Sequence, residues 1–453
     1  MLFDIDKQTI RDLNLFGERT TEKSIFSFYN RAVTKGGNEM LNKLFRNPVA
    51  DFELLQCRKE EINFFFQHVS ALKLTSRAVE FIEHYLSNDR VPLRNNIIDA
   101  TFNGIKNKIS ADGDYWIIST GILHAIRLLI DLKSLIKETA SFEIPLTLQE
   151  DLNRIKAFIA SEPIKSNLFY PPEDIKDLSF AQISGIDHLI RCVKKNEFRE
   201  LMNIVYKFDV LQTLSGLMKT NGFTLPEYNR QSQPLFEVTD GYYPILSAPI
   251  PNSFNFDHNS NLCFITGPNM AGKSTFLKTM GIMIYLSHLG FPVPARQLKT
   301  TIFDGLFTTI NLADNLNLGY SHFYSEVKRV KDIVVKINTE QHLFVIFDEL
   351  FRGTNVKDAY DASLKIISSL ARIRNNFFFV STHILEVAEN LDHQSLIQFK
   401  CFESELVNQS PVYDFKLKDG VSKERIGMTI INRENIIGIL DQIIEKQKQE
   451  QIQ

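Results

Sequence analysis

Two short stretches hold the residues best suited to chemistry. Gly267-Pro268-Asn269-Met270-Ala271-Gly272-Lys273-Ser274-Thr275 carries the spacing G-x-x-x-x-G-K-S. A short apolar run, Leu262–Ile265, precedes it, and an apolar-faced segment follows to Leu289 before Gly290 stops it. Strand, glycine-bracketed turn and helix is the order in which a backbone cradles a polyphosphate. The glycines let N–H groups turn inward with no Cβ in the way, and the helix N-terminus adds unpaired amides. Lys273 would reach the β/γ phosphates, and the Ser274 hydroxyl would ligate Mg²⁺. A glycine-rich turn can match such a pattern by chance. Eight matched positions between a strand and a helix argue for the phosphate site.

The second stretch is Leu343–Phe347 followed by Asp348-Glu349. Five apolar residues make a buried strand, and ligands of open α/β sheets lie beyond the carboxyl ends of their strands. Asp348 is then placed to hold Mg²⁺ through water, and Glu349 to polarise an attacking water. Alone, the pair would read as a solvated surface patch; downstream of the phosphate loop it reads as catalytic. A further strand, Phe377–Val380, ends in Ser381-Thr382-His383. His383 either reaches a γ-phosphate by hydrogen bond or is a packing residue.

The elements that must position these residues divide the chain near residue 225. From Asp4 to about Phe223 the pattern is mostly helical. Asp51–His68 has apolar positions near helical spacing with Asp51 as a plausible N-cap. His188–Leu217 reads as one helix of about thirty residues, long enough to span about 45 Å. Lys194, Lys195, Arg199 and Lys207 along it form either a DNA-facing stripe or a solvated face. Beyond Leu225, β-like runs at Tyr243–Leu246, Leu262–Ile265, Thr301–Ile310, Leu343–Phe347 and Phe377–Val380 alternate with helical patterns. That alternation predicts an α/β domain with a mostly parallel sheet. The expected domains are 1–225, all helical, and 226–453, α/β with a short C-terminal helical tail.

Composition adds limits. The chain has 453 residues, 44% hydrophobic and 23% charged, with net charge −3, so any nucleic-acid contact must come from local patches. Cys57, Cys192, Cys263 and Cys401 lie far apart, which excludes a C-x-x-C zinc pair or a disulfide framework and fits a reducing, cytoplasmic compartment. Trp116–Leu132 is the most apolar long stretch, but His124, Arg127 and Asp131 interrupt it. It reads as a buried helix, and no membrane is expected as a partner.

Together these motifs resemble the MutS family of DNA mismatch-repair ATPases. Thr266–Thr275 is close to that family's phosphate loop, with Ala271 at its usual second glycine. Leu289–Ala295 resembles G-x-x-V-P-A, Ile310–Glu326 the loop ending S-T-F-x-x-E, and Asp348–Asn355 the segment D-E-x-G-R-G-T, with Phe351 at the family glycine. Ser381–His383 matches S/A-T-H. Gly420–Gly427 and Arg31–Pro48 resemble the closing glycine segment and the core-domain pattern more loosely. The resemblance implies an ABC-type P-loop ATPase domain preceded by an all-α core/lever domain, with ATP and Mg²⁺ as cofactors. It also implies a homodimer in which Ser321 contacts the γ-phosphate held by the opposite subunit, and DNA as partner. Position matching assigns the adenine walls to Pro249-Ile250 and Phe415, and puts Tyr243 in the place of a family histidine.

The resemblance begins at the core region, so the mismatch-reading and connector domains are expected to be absent. No clamp insertion or added nuclease domain is recognised. The leading expectation is a DNA-processing ATPase. The alternative is a nucleotide-gated interaction protein acting on branched DNA or ribosomes without mismatch recognition. A transporter ATPase is disfavoured by the lack of an L-S-G-G-Q signature.

Overall fold

The computed structural model describes residues 2–452 apart from 18–21, 71, 88–112, 170–171, 175–176, 231–232, 257–258, 311–321, 340–341, 352–353, 383, 392–395, 408–409 and 423–434. Helices dominate up to Asn221. Lys35–Phe45 is capped by Thr34, whose side chain accepts from the Gly37 N–H, and Phe52–His68 is capped by Asp51 as its sequence implies. The helix Gly113–Thr139 contains the apolar stretch seen in the sequence. By length and composition it could cross a membrane, yet 61% of its most apolar window is buried inside the protein. Ile122, Ala125, Ile126, Leu129 and Leu132 are its innermost residues.

The helix expected over His188–Leu217 is not continuous. A π-turn, Leu189–Val193, separates Phe180–His188 from Lys195–Asn221, and Gly222 closes the latter at φ 68°. Inside this break Arg191 forms a buried pair with Asp187, which also accepts from the Tyr85 hydroxyl at 2.9 Å. A buried arginine needs such partners, and the extra residue of a π-turn re-aims a side chain by a fraction of a turn.

The strands are β1 (Asp4–Ile5), β2 (Glu227–Asn229), β3 (Phe236–Gly241), β4 (Asn252–Asn255), β5 (Leu262–Thr266), β6 (Gln297–Thr301), β7 (Gly305–Thr309), β8 (Leu343–Phe347), β9 (Phe377–Ser381), β10 (Ile397–Cys401), β11 (Ser404–Val407), β12 (Ser410–Tyr413) and β13 (Lys418–Asp419). The main sheet has the order β1-β7-β8-β9-β5-β10-β13, parallel except for β13. A second sheet, β2-β6-β3-β4, flanks it. Tyr243–Leu246 is a turn rather than a strand, and the run Thr301–Ile310 is split between β6 in one sheet and β7 in the other.

Alternation along the central strands sorts the core. Cys263, Ile265, Phe344, Ile346 and Phe379 face one layer; Leu262, Phe264, Val345, Phe347, Phe378 and Val380 face the opposite one. The second layer is covered by the helices His322–Thr339, Val356–Leu370 and Leu385–Leu391. The first is covered by the helix Lys273–Ser287, whose far side continues into the helical half through Leu13, Tyr29, Phe45 and Phe291.

Two features cross the division expected near residue 225. Residues 4–5 add a parallel strand to the main sheet beside β7. Behind that strand, Asp12 accepts from the Thr308 hydroxyl at 2.7 Å and the Ile310 N–H at 2.9 Å. The C-terminal end of Lys273–Ser287 is also held by the helical half: the Val49 N–H donates to the His288 carbonyl at 2.8 Å, and Arg58 to the Leu289 carbonyl at 3.1 Å.

Candidate active site

β5 delivers the chain to Gly267, which has φ 138°; a Cβ there would stand 2.6 Å from the Phe402 carbonyl oxygen. The loop passes through Pro268, Asn269, Met270 (φ 69°, 80% exposed) and the buried Ala271. Gly272 (φ 106°) then caps the helix Lys273–Ser287, whose first residues, Lys273 to Thr275, line an open cleft. The loop has the form its spacing predicts.

The Lys273 ammonium is buried and donates to the carbonyls of Gly267 at 2.7 Å and Pro268 at 3.0 Å. Burial pulls its pKa down, against the pull of Asp348 and Glu349. The charge therefore lies folded inside its own loop, within reach of the cleft.

β9 lies between β5 and β8, so the two motifs meet across its end. Ser381 is the last residue of β9. Its hydroxyl donates to Asp348 Oδ1 and accepts the Glu349 N–H at 2.9 Å. Asp348 is buried and also hydrogen-bonds the Ser274 side chain. Burial raises its pKa; Ser274, Ser381 and Lys273 oppose that shift, and Glu349 adds to it. Glu349 (φ 55°) turns toward the cleft. Phe351, at the family glycine, takes φ 62°, the left-handed conformation glycine would adopt freely. Its ring is buried edge-on to Phe323, centroids 5.9 Å apart, and that packing offsets the backbone strain.

These residues open onto a cleft of about 440 Å³ lined by Asn269, Met270, Gly272–Thr275 and Glu349 together with Tyr243, Ile250 and Phe415. Ile250 and Phe415 are each 41% exposed. Ser274 and Asp348 offer hard oxygen donors beside an acidic pair, which fits Mg²⁺. Ser321 and His383 lie outside the described residues. Ser381 escaped sequence reasoning: the S-T-H tripeptide drew notice to its histidine, and a strand-end serine has no signature until its neighbours are known.

Comparisons with known proteins point to one family. The family model MutS domain V matches residues 263–453. The DNA mismatch repair protein MutS of Persephonella marina is 30% identical over 306 residues, 66% of this chain and 34% of that protein. The protein of the same name from Anaplasma phagocytophilum is 29% identical over 229 residues, 50% of this chain and 27% of its own length. That of Bacillus subtilis is 27% identical over 248 residues, 53% and 28% respectively. The chain thus spans between 27% and 34% of the length of these relatives. The phosphate loop, the acidic strand end and Ser381 all lie inside the matched segment, so the C-terminal part of the chain, residues 263–453, belongs to the MutS family through its domain V.

Proposed function

We propose that this protein binds and hydrolyses ATP with Mg²⁺ in the cleft between the phosphate loop and Phe415, and couples that cycle to DNA. The observation that carries this reading is the convergence of Lys273, Ser274, Asp348 and Glu349 beside an open cleft that is also lined by the apolar Ile250 and the aromatic Phe415. In this reading Gly267 to Thr275 hold the phosphates, and Lys273 turns from its two carbonyls to the β/γ oxygens. Ser274 and Asp348 hold Mg²⁺, which supplies charge neutralisation of the phosphates when bound. Glu349 takes the proton of the attacking water. Ile250 and Phe415 sandwich the adenine.

Completion of the site follows from the same reading. A phosphate loop grips a nucleotide from one side, and the transition state needs donors on the outer face. Ser321 of a second copy supplies them in a homodimer, with His383 sensing the γ-phosphate. Residues 1–225 act as a core and lever whose contacts at Val49, Arg58 and Asp12 carry the nucleotide state outward. The names of the relatives support DNA repair as the setting.

A second reading, a nucleotide-gated protein acting on branched DNA or ribosomes without mismatch recognition, is favoured by one observation. Two residues of the basic stripe are engaged within the protein. Lys207 pairs with Glu61 and Asp151, and Lys194 lies over the Phe158 ring.

The test has two arms. Lys273→Ala is expected to abolish tight nucleotide binding, and Glu349→Gln to leave binding intact and stop turnover. A Glu349→Gln protein that turns over at the wild-type rate removes the base assignment. Filter binding to matched, mismatched, branched and single-stranded DNA, with and without ATP, separates the two readings of the partner.

A further inference from the structure

One side chain joins the two walls at the outer end of the cleft. Asn252, the first residue of β4, donates from Nδ2 to the Phe415 carbonyl at 3.0 Å and to the Ile250 carbonyl at 3.4 Å. Its Oδ1 accepts the Leu417 N–H at 2.8 Å. The two walls come from segments more than 160 residues apart, and neither belongs to the main sheet that positions the phosphate loop.

Phe415 needs such a hold. Its φ of 55° lies in the left-handed region, which a residue with a Cβ leaves unless its neighbours fix it. Asn252 bonds the backbone at this residue's own carbonyl and at the N–H two positions on, and so ties down the left-handed turn that carries the ring. The ring in turn lies against the phosphate loop: a Cβ on Gly272 would be 3.3 Å from Phe415 Cδ1. Lys416 adds an outer tie, donating to the Pro251 carbonyl at 2.8 Å.

From this geometry we infer that Asn252 is a positioning residue for the nucleobase. It ties the segment of Phe415 to that of Ile250, two residues that line the same cleft, and takes no part in phosphate binding. Its amide is already committed to backbone partners on both walls, so it acts through them rather than by reading the edge of the base. The inference rests on the nucleotide reading of the cleft and divides it into two halves with separable affinities.

The experiment compares ATP with inorganic tripolyphosphate, which has the phosphates and no base. Binding of each is measured by calorimetry with Mg²⁺ present, on the full chain. Asn252→Ala is expected to weaken ATP binding about tenfold, the loss of one well-placed stacking contact, with tripolyphosphate affinity unchanged. In steady state KM for ATP rises while kcat falls by less. Asn252→Asp is close in shape and keeps the acceptor for Leu417, but it sets a carboxylate against two carbonyls. It is expected to give the same split, and it serves if the alanine variant does not fold. Phe415→Ala should match Asn252→Ala, and the double variant should be no worse than Phe415→Ala alone, because both changes remove one contact. Equal weakening of both ligands, unchanged ATP affinity, or additive losses in the double variant overturn the inference. A wild-type protein that binds tripolyphosphate but not ATP overturns it while leaving the phosphate site standing. A protein that binds neither ligand overturns the nucleotide reading itself.

Discussion

Ser381 at the end of β9 donates its hydroxyl hydrogen bond to the carboxylate of Asp348, the residue just past the end of neighbouring β8. The same oxygen accepts the Glu349 N–H, so one hydroxyl orients a buried acid and the left-handed turn that aims the next one. Ser381→Ala is expected to lower kcat for ATP about tenfold to a hundredfold, as loss of an orienting partner does, while nucleotide affinity changes little. Steady-state hydrolysis with parallel binding measurements checks this. Wild-type kcat in the variant would show that the acids hold their geometry without the serine.

Gly267 meets two constraints at once, a φ of 138° and the Phe402 carbonyl oxygen 2.6 Å from any added Cβ. Gly267→Ala must push the phosphate loop off β10 or abandon its turn. The expected cost is about 2 kcal/mol of stability together with loss of nucleotide binding. Thermal melts with and without nucleotide measure both, and a variant that binds ATP normally would show that the loop relaxes freely.

His288 makes stability pH-dependent. Its ring is fully buried, with Nδ1 at 2.8 Å from the Ile284 carbonyl and Nε2 accepting the Phe303 N–H at 2.9 Å, so it is neutral with its proton on Nδ1. Burial pushes its pKa from 6.5 down to about 4, against the opposing pull of the Ile284 carbonyl and of Asp304. The unfolded chain therefore binds the extra proton first. Stability falls as pH drops from about 6.5 to about 4, by up to roughly 3 kcal/mol from this residue. His288→Phe is expected to be less stable at pH 7.5, because the Phe303 N–H loses its partner, and to show a shallower acid slope. Urea melts across that window test it; parallel slopes in the two proteins would refute the assignment.

The proposed trans site is tested by mixing. Lys273→Ala and Ser321→Ala chains are each expected to be nearly inactive. Once their subunits exchange, each heterodimer holds one site with intact Lys273 from one copy and intact Ser321 from the other, and part of the activity returns. No recovery after confirmed exchange, or full activity in a monomer, rules the arrangement out.

Local pattern was sufficient where the physics is local. The phosphate loop was legible because left-handed glycines, a helix N-terminus and a following lysine must be adjacent in sequence to work. β5, β8 and β9 were legible because a strand buried on both faces is an uninterrupted apolar run. The α/β character of the C-terminal half followed from their alternation with helical segments. Other features depend on partners distant along the chain. β1 is two residues long and is a strand only because β7, about 300 residues later, pairs with it. The π-turn at Leu189–Val193 leaves the apolar periodicity nearly intact, and the buried partner of its Arg191, Asp187, lies in the preceding helix. Lys207 reads as part of a basic stripe until Glu61 and Asp151 fold against it. Ser381 and Asn252 are ordinary polar residues in sequence. Strand order sets the first beside Asp348, and the packing of β4 against the segment carrying Phe415 makes the second a tie between two walls. A hydrogen bond draws its meaning from both ends, and here the far ends lie more than thirty and more than 160 residues away.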